Sequence, residues 1–135
     1  MRIVIDCNVL VSAALTDGVC RLAIAEAIGN HEIFLSEEIL DEYREVADRP
    51  KFPPPVQSRM HALIEKVAAQ ASVVPFDRSI PAPDIADADD AVYVIVAITS
   101  RADAIVTGNT AHFTAPSYGR ALVVSPREFL DMVGA

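Results

Sequence analysis

The run Arg2-Ile3-Val4-Ile5 is short, apolar and β-branched, and it stops abruptly at Asp6. An apolar run without polar alternation marks a strand covered on both faces, as strands are in a parallel sheet sandwiched by helices. Runs at His31–Leu35, Ser72–Phe76, Ala104–Thr107 and Arg120–Val124 read as further strands, and most of the intervals carry helical signals. At 135 residues the chain has the length of one ordinary domain. Together these features predict a single α/β domain over residues 1–135, with a short parallel sheet of about five strands and helices on both faces.

Between the first two strands, Asn8–Leu15 and Val19–Ile28 read as short helices, the second halted by Gly29-Asn30. Ser36 caps a helix that runs to about Asp48, where Arg49-Pro50 ends it. Beyond Pro53–Pro55, a helix over Val56–Ala71 carries Met60, Leu63, Ile64 and Val67 on one face. Asp77–Ala86, with Pro81 and Pro83, is a loop inside the domain. Ser125-Pro126-Arg127-Glu128 holds a capping box with proline at the first helical position, and so opens a last helix. The residues of Ala91–Ile98 leave two readings open. Their composition suits a strand, whereas Asp87, Asp89 and Asp90 ahead of them suit a helix N-terminus.

Charge narrows the function. Nineteen Asp and Glu against eleven Lys and Arg leave a net charge of −8, so no broad field draws in phosphates, and a general nucleic-acid coat protein is excluded. Cys7 and Cys20 belong to no CxxC or Cys/His cluster and read as buried free thiols. The apolar N-terminus holds Asp6 and Asn8 and lacks a cleavage pattern, and no uncharged apolar run reaches the roughly eighteen residues that a membrane span needs. The expectation is a soluble cytoplasmic protein with no membrane partner.

In an open α/β sheet, ligands bind beyond the carboxyl ends of the strands, where the strand order reverses. Asp6 ends the first strand and Thr107-Gly108-Asn109 ends the fourth, so their polar tips meet if the two strands are neighbours. Asp87, Asp89 and Asp90 precede the element that leads into that fourth strand. On the helix capped by Ser36, at about 100° per residue, Glu42 falls about 60° from Ile39, at the border of the apolar stripe. The helix's other acids lie roughly 100° or more away. Carboxylates crowded at one edge repel one another unless a cation compensates, and a hard divalent ion is the natural partner. Such an ion can activate water and offset charge in phosphodiester hydrolysis.

These residues resemble a PIN-domain ribonuclease of the kind that serves as toxin in prokaryotic toxin–antitoxin pairs. The resemblance spans nearly the whole chain. It is carried in order by Ile3-Val4-Ile5-Asp6-Cys7-Asn8-Val9-Leu10, by Ser36–Phe52 with Glu42 and Arg49-Pro50-Lys51-Phe52, by Asp87-Ala88-Asp89-Asp90, and by Ala102-Asp103-Ala104-Ile105-Val106-Thr107-Gly108-Asn109. It implies a Mg²⁺- or Mn²⁺-dependent endoribonuclease and makes Ala91–Ile98 a helix. Asp6, Glu42 and Asp90 would be catalytic metal ligands, with Asp87 and Asn109 as further candidates, and Asn8 and Thr107 would orient the carboxylates. The family commonly has Asp where this chain has Asn109, and often glycine where it has Arg101; an amide brings no negative charge, which favours a one-metal site. Arg44, Arg49 and Lys51, close to Glu42 in sequence, are candidates for holding the RNA backbone, although surface ion pairs also explain them. The resemblance also implies an antitoxin that places arginine near the carboxylates, and a homodimer.

Other readings fit less well. A phosphoacceptor or dehalogenase-like phosphatase wants a lysine after a late strand, and the only lysines are Lys51 and Lys66. No glycine-rich phosphate loop exists for a nucleotide-binding module. His31, His61 and His112 are not spaced as ligands of one another, and His112, the one near the proposed site, reads as a loop residue rather than a general base. The alternative that Asn109 keeps open is a non-catalytic PIN-like module that binds RNA or protein with a degenerate site.

Overall fold

The computed structural model describes residues 1–81 and 88–135. The chain runs β1 (Arg2–Ile5), α1 (Cys7–Leu15), α2 (Val19–Asn30), β2 (Glu32–Leu35), α3 (Glu37–Ala47), α4 (Pro54–Gln70) and β3 (Ser72–Val73). A 3₁₀ turn (Ala88–Asp90) then leads into α5 (Ala91–Ser100), followed by β4 (Ala104–Val106), a second 3₁₀ turn (Thr110–His112), β5 (Ser117–Tyr118), β6 (Ala121–Val124) and α6 (Pro126–Met132). Ile3, Val4 and Ile5 are buried in succession, as are Ile33, Phe34 and Leu35 of β2 and Ala104, Ile105 and Val106 of β4. Neighbouring strand residues point to opposite faces, so an unbroken buried run requires cover on both.

The strand order is β3-β2-β1-β4-β6-β5. Every pairing is parallel except that of β5 with β6. The five expected strands are therefore present, and β5 is an unanticipated antiparallel addition. It is two residues long, too short for a periodic signal, and it is made by the hairpin rather than by its own pattern. Gly119, at the first loop position between the paired Tyr118 and Ala121, has φ +59°, which a type II′ turn asks of glycine. The third strand is shorter than Ser72–Phe76 because pairing stops at Leu35 with Val73, where β2 itself ends.

Helix boundaries moved for local reasons. α2 continues through Gly29 and Asn30, and the chain turns extended only at His31. α4 begins at Pro54, since prolines are tolerated in a first turn whose amides have no helical acceptor. Ala91–Ile98 lies in a helix. Tyr93, Val94, Ile95, Val96 and Ala97 are all buried, so α5 is apolar all round, as a helix enclosed by the fold must be. It ends at Arg101, which takes the left-handed conformation at φ 55°. At the amino end of the sheet, Arg2 donates to Ser100 O through Nε (3.0 Å) and Nη2 (2.7 Å), and its backbone N–H donates to Asp103 Oδ2 at 2.8 Å. Asp103 also pairs with Arg120 at 2.9 Å. No single helix among the described residues is long and apolar enough to cross a membrane.

Candidate active site

The order of strands reverses between β1 and β4, with Asp6 at the carboxyl end of the first and Thr107-Gly108-Asn109 at that of the second. Asp6 follows β1 directly, and its backbone N–H donates to Val106 O at 2.9 Å. It occupies the N-cap position of α1 without making a capping hydrogen bond. Its side chain is instead held by Thr107, whose buried hydroxyl donates to Asp6 Oδ2 at 2.9 Å. The Thr107 oxygen also accepts the N–H of Asn109 at 3.1 Å. Asn8 laces the tips together, since its Oδ1 accepts the Gly108 N–H at 2.9 Å. A Cβ at position 108 would lie 3.3 Å from that oxygen, so the approach suits glycine.

Glu42 reaches the same edge from α3. It is half-buried, while Glu37, Glu38, Asp41, Glu45 and Asp48 are exposed. The next residue, the fully buried Tyr43, donates its hydroxyl to Ile5 O and so ties α3 to the end of β1. From α5, the Tyr93 hydroxyl donates to Glu42 Oε2 at 3.0 Å and accepts the Cys7 N–H at 3.3 Å. Sequence reasoning passed over Tyr93. Its one signal was a hydroxyl-bearing ring in an apolar run, three residues after Asp90 and so on the same helical face.

Asp90 is buried where the 3₁₀ turn meets α5. His112 Nδ1 stands 3.4 Å from its Oδ2. Asn109 does not turn its side chain to Asp6: its Nδ2 lies 2.8 Å from His112 Nε2. Asp87 lies outside the described residues, and Asp89 is exposed.

Burial raises the pKa of Asp6 above its ordinary value, against the Thr107 hydroxyl and the backbone amides of Asn8 and Cys7. Burial also raises Glu42; the Tyr93 hydrogen bond opposes this, and the nearby charges of Asp6, Asp90 and Asp89 add to it. The Cys7 thiol is pushed up to about 12, first by burial and then by Glu42 and Asp6, so it is inert.

Among the described residues, no three His, Cys, Asp or Glu side chains form a ready-made metal cage. A Mg²⁺-like ion, however, takes only one or two carboxylates directly and fills its shell with water. Buried carboxylates that repel one another fit such a cation chemically, because it removes the repulsion. The cations singled out from sequence sit on the surface: Arg44 pairs with Glu65 at 3.6 Å, Arg49 with Glu45 at 3.5 Å, and Lys51 lies 5.2 Å from the Phe52 ring centre. A separate groove of about 500 Å³ between α2 and α4 is lined by Ile24, Ile28 and Leu63 together with Arg21, Arg59 and Lys66.

A mostly parallel open sheet with a buried carboxylate at its reversal point, and further acids brought near it by two helices, defines an α/β protein with an acidic switch-point edge. The chain belongs to the PIN domain family, whose model matches residues 2–111. No curated protein matches it in sequence. Among solved structures it is similar in fold to a chain of VapBC2 from Rickettsia felis, crystallised bound to a DNA fragment from their promoter. That similarity has a TM-score of 0.62 and 14% identity, and it covers 93% of this chain and 98% of the other.

Proposed function

We propose that this protein is a Mg²⁺- or Mn²⁺-dependent endoribonuclease, the toxin of a toxin–antitoxin pair. The observation that carries the reading is that Asp6 after β1, Glu42 of α3 and Asp90 ahead of α5 come from three separate elements, with Asp6 and Asp90 both close enough to Glu42 for their charges to add to the rise that burial causes there, while burial alone raises Asp6. Asp6, Glu42 and Asp90 would hold the ion, one or two of them directly and the rest through its water shell. Thr107 and Asn8 fix the tip that carries Asp6, and Tyr93 fixes Glu42. When bound, the ion would supply an activated water and offset charge on the phosphodiester. With Asn109 directed at His112, the site is a one-metal site; Asp87 stands by as an auxiliary acid on its chain position alone. Arg44, Arg49 and Lys51 would steady the RNA backbone at the rim.

A protein partner of the antitoxin kind is supported by the family and by the VapBC2 assembly to which the fold is similar. The second reading, a non-catalytic RNA- or protein-binding module, draws on the amide at position 109. Incubating end-labelled single-stranded RNAs of varied sequence with the pure protein separates the two. The proposal expects cleavage with Mn²⁺ and none with EDTA; intact RNA across the panel with Mn²⁺ points to the non-catalytic module.

A further inference from the structure

His112 is used by nothing in that reading, yet both of its ring nitrogens face residues of the pocket. It closes the 3₁₀ turn beyond β4 and is half-exposed. Its Nε2 lies 2.8 Å from Asn109 Nδ2 and its Nδ1 lies 3.4 Å from Asp90 Oδ2. An amide nitrogen can only donate, so a neutral ring must accept at Nε2 and carry its proton at Nδ1, the nitrogen that faces the carboxylate. Turning the amide over would place a bare Nδ1 lone pair against a carboxylate oxygen. The separation of 3.4 Å is an ion-pair distance and not a formed hydrogen bond. Asn109 is itself pinned, because its N–H donates to the Thr107 oxygen, which donates to Asp6. A chain of contacts therefore runs from Asp6 through Thr107 and the backbone and side chain of Asn109 to His112, whose Nδ1 faces Asp90 at 3.4 Å.

We propose that His112 is a positioning residue: Asn109 sets its tautomer, and its Nδ1–H orients Asp90 within the pocket. Asn109 then serves the site through His112 and not as a metal ligand. The amide is specific to this role, since an aspartate at 109 would accept a proton from Nε2 and leave Nδ1 of the neutral ring bare. The inference rests on the pocket being a divalent-cation site. Removing a residue that orients a metal ligand typically costs about 10- to 100-fold in metal affinity.

Two measurements test it on the whole protein. In the metal-free state at mildly alkaline pH, ¹⁵N NMR of the His112 ring is expected to show the proton on Nδ1, shifting toward Nε2 in Asn109→Ala. Mn²⁺ affinity, read by electron paramagnetic resonance, is expected to fall about 10-fold in His112→Ala. It should recover in His112→Asn, whose amide N–H replaces Nδ1–H, and not in His112→Gln, whose amide sits nearer the Nε2 position. A proton on Nε2 in wild type, or rescue by Gln instead of Asn, overturns the proposal. Wild type and His112→Ala binding Mn²⁺ alike, with Asp90→Asn impaired, overturns it alone; wild type and Asp90→Asn binding alike overturns the cation reading and the proposal with it. The position is half-exposed, so thermal melts will verify that each variant is folded.

Discussion

Asp6 and Glu42 are kept where burial makes their charge unfavourable, and the cost has a sign that can be read from pH. Both carboxyls sit above their ordinary values in the folded chain, so the folded chain binds more protons than the unfolded one between the ordinary and the raised values. The stability they contribute is fully present below the ordinary carboxylate range and is lost as pH rises through the raised values. Metal-free protein should therefore gain stability on mild acidification from neutrality, seen in urea melts, and Glu42→Gln should flatten that gain. A wild-type profile of the opposite slope, unchanged in Glu42→Gln, would contradict the account. Tyr93→Phe removes the hydroxyl that joins Cys7 to Glu42; it should cost about 1 kcal/mol in stability and about 10-fold in cleavage rate. Glu42 was legible in the sequence because the helical period alone sets it beside the apolar stripe. Tyr93 and His112 were not, because their contacts with Cys7 and Asp90 depend on how separate elements pack.

The elements were easier to find than their ends. Unbroken apolar runs identified β1, β2 and β4, whereas β5 exists only because Gly119 lets the chain fold back on β6. For α5, β-branched composition argued strand and the acids argued helix; burial on every side is what lets such residues form a helix. Its terminus carries strain, since Arg101 sits at φ 55°, a region that disfavours a side chain with a Cβ. Arg101→Gly should raise the urea-derived stability by up to about 1 kcal/mol, the relieved strain being partly offset by glycine's greater freedom in the unfolded chain. Arg101→Val should lower it by about 1 kcal/mol or more. Stabilisation by valine would mean that the left-handed cap is wrong.

Over the whole molecule, the net charge of −8 supplies no broad field to collect RNA, and the cations nearest Glu42 in sequence are Arg44, Arg49 and Lys51. If these three alone meet phosphates, the slope of log affinity against log salt should be no steeper than about −2. A much steeper slope in binding titrations would reveal a phosphate track elsewhere. The reversal of strand order was legible only conditionally: acids at two strand ends form a site if those strands are neighbours, and the pairing of β1 with β4 satisfies the condition. The central claim is that the buried acids, and not the many exposed ones, cut RNA. It is tested most directly by single-turnover cleavage with Mn²⁺ in folded Asp6→Asn and Asp90→Asn, with exposed Glu38→Gln of α3 as the control. The account predicts a loss of about 100-fold or more in the first two and wild-type rates in the third; wild-type cleavage by Asp6→Asn and Asp90→Asn would contradict it.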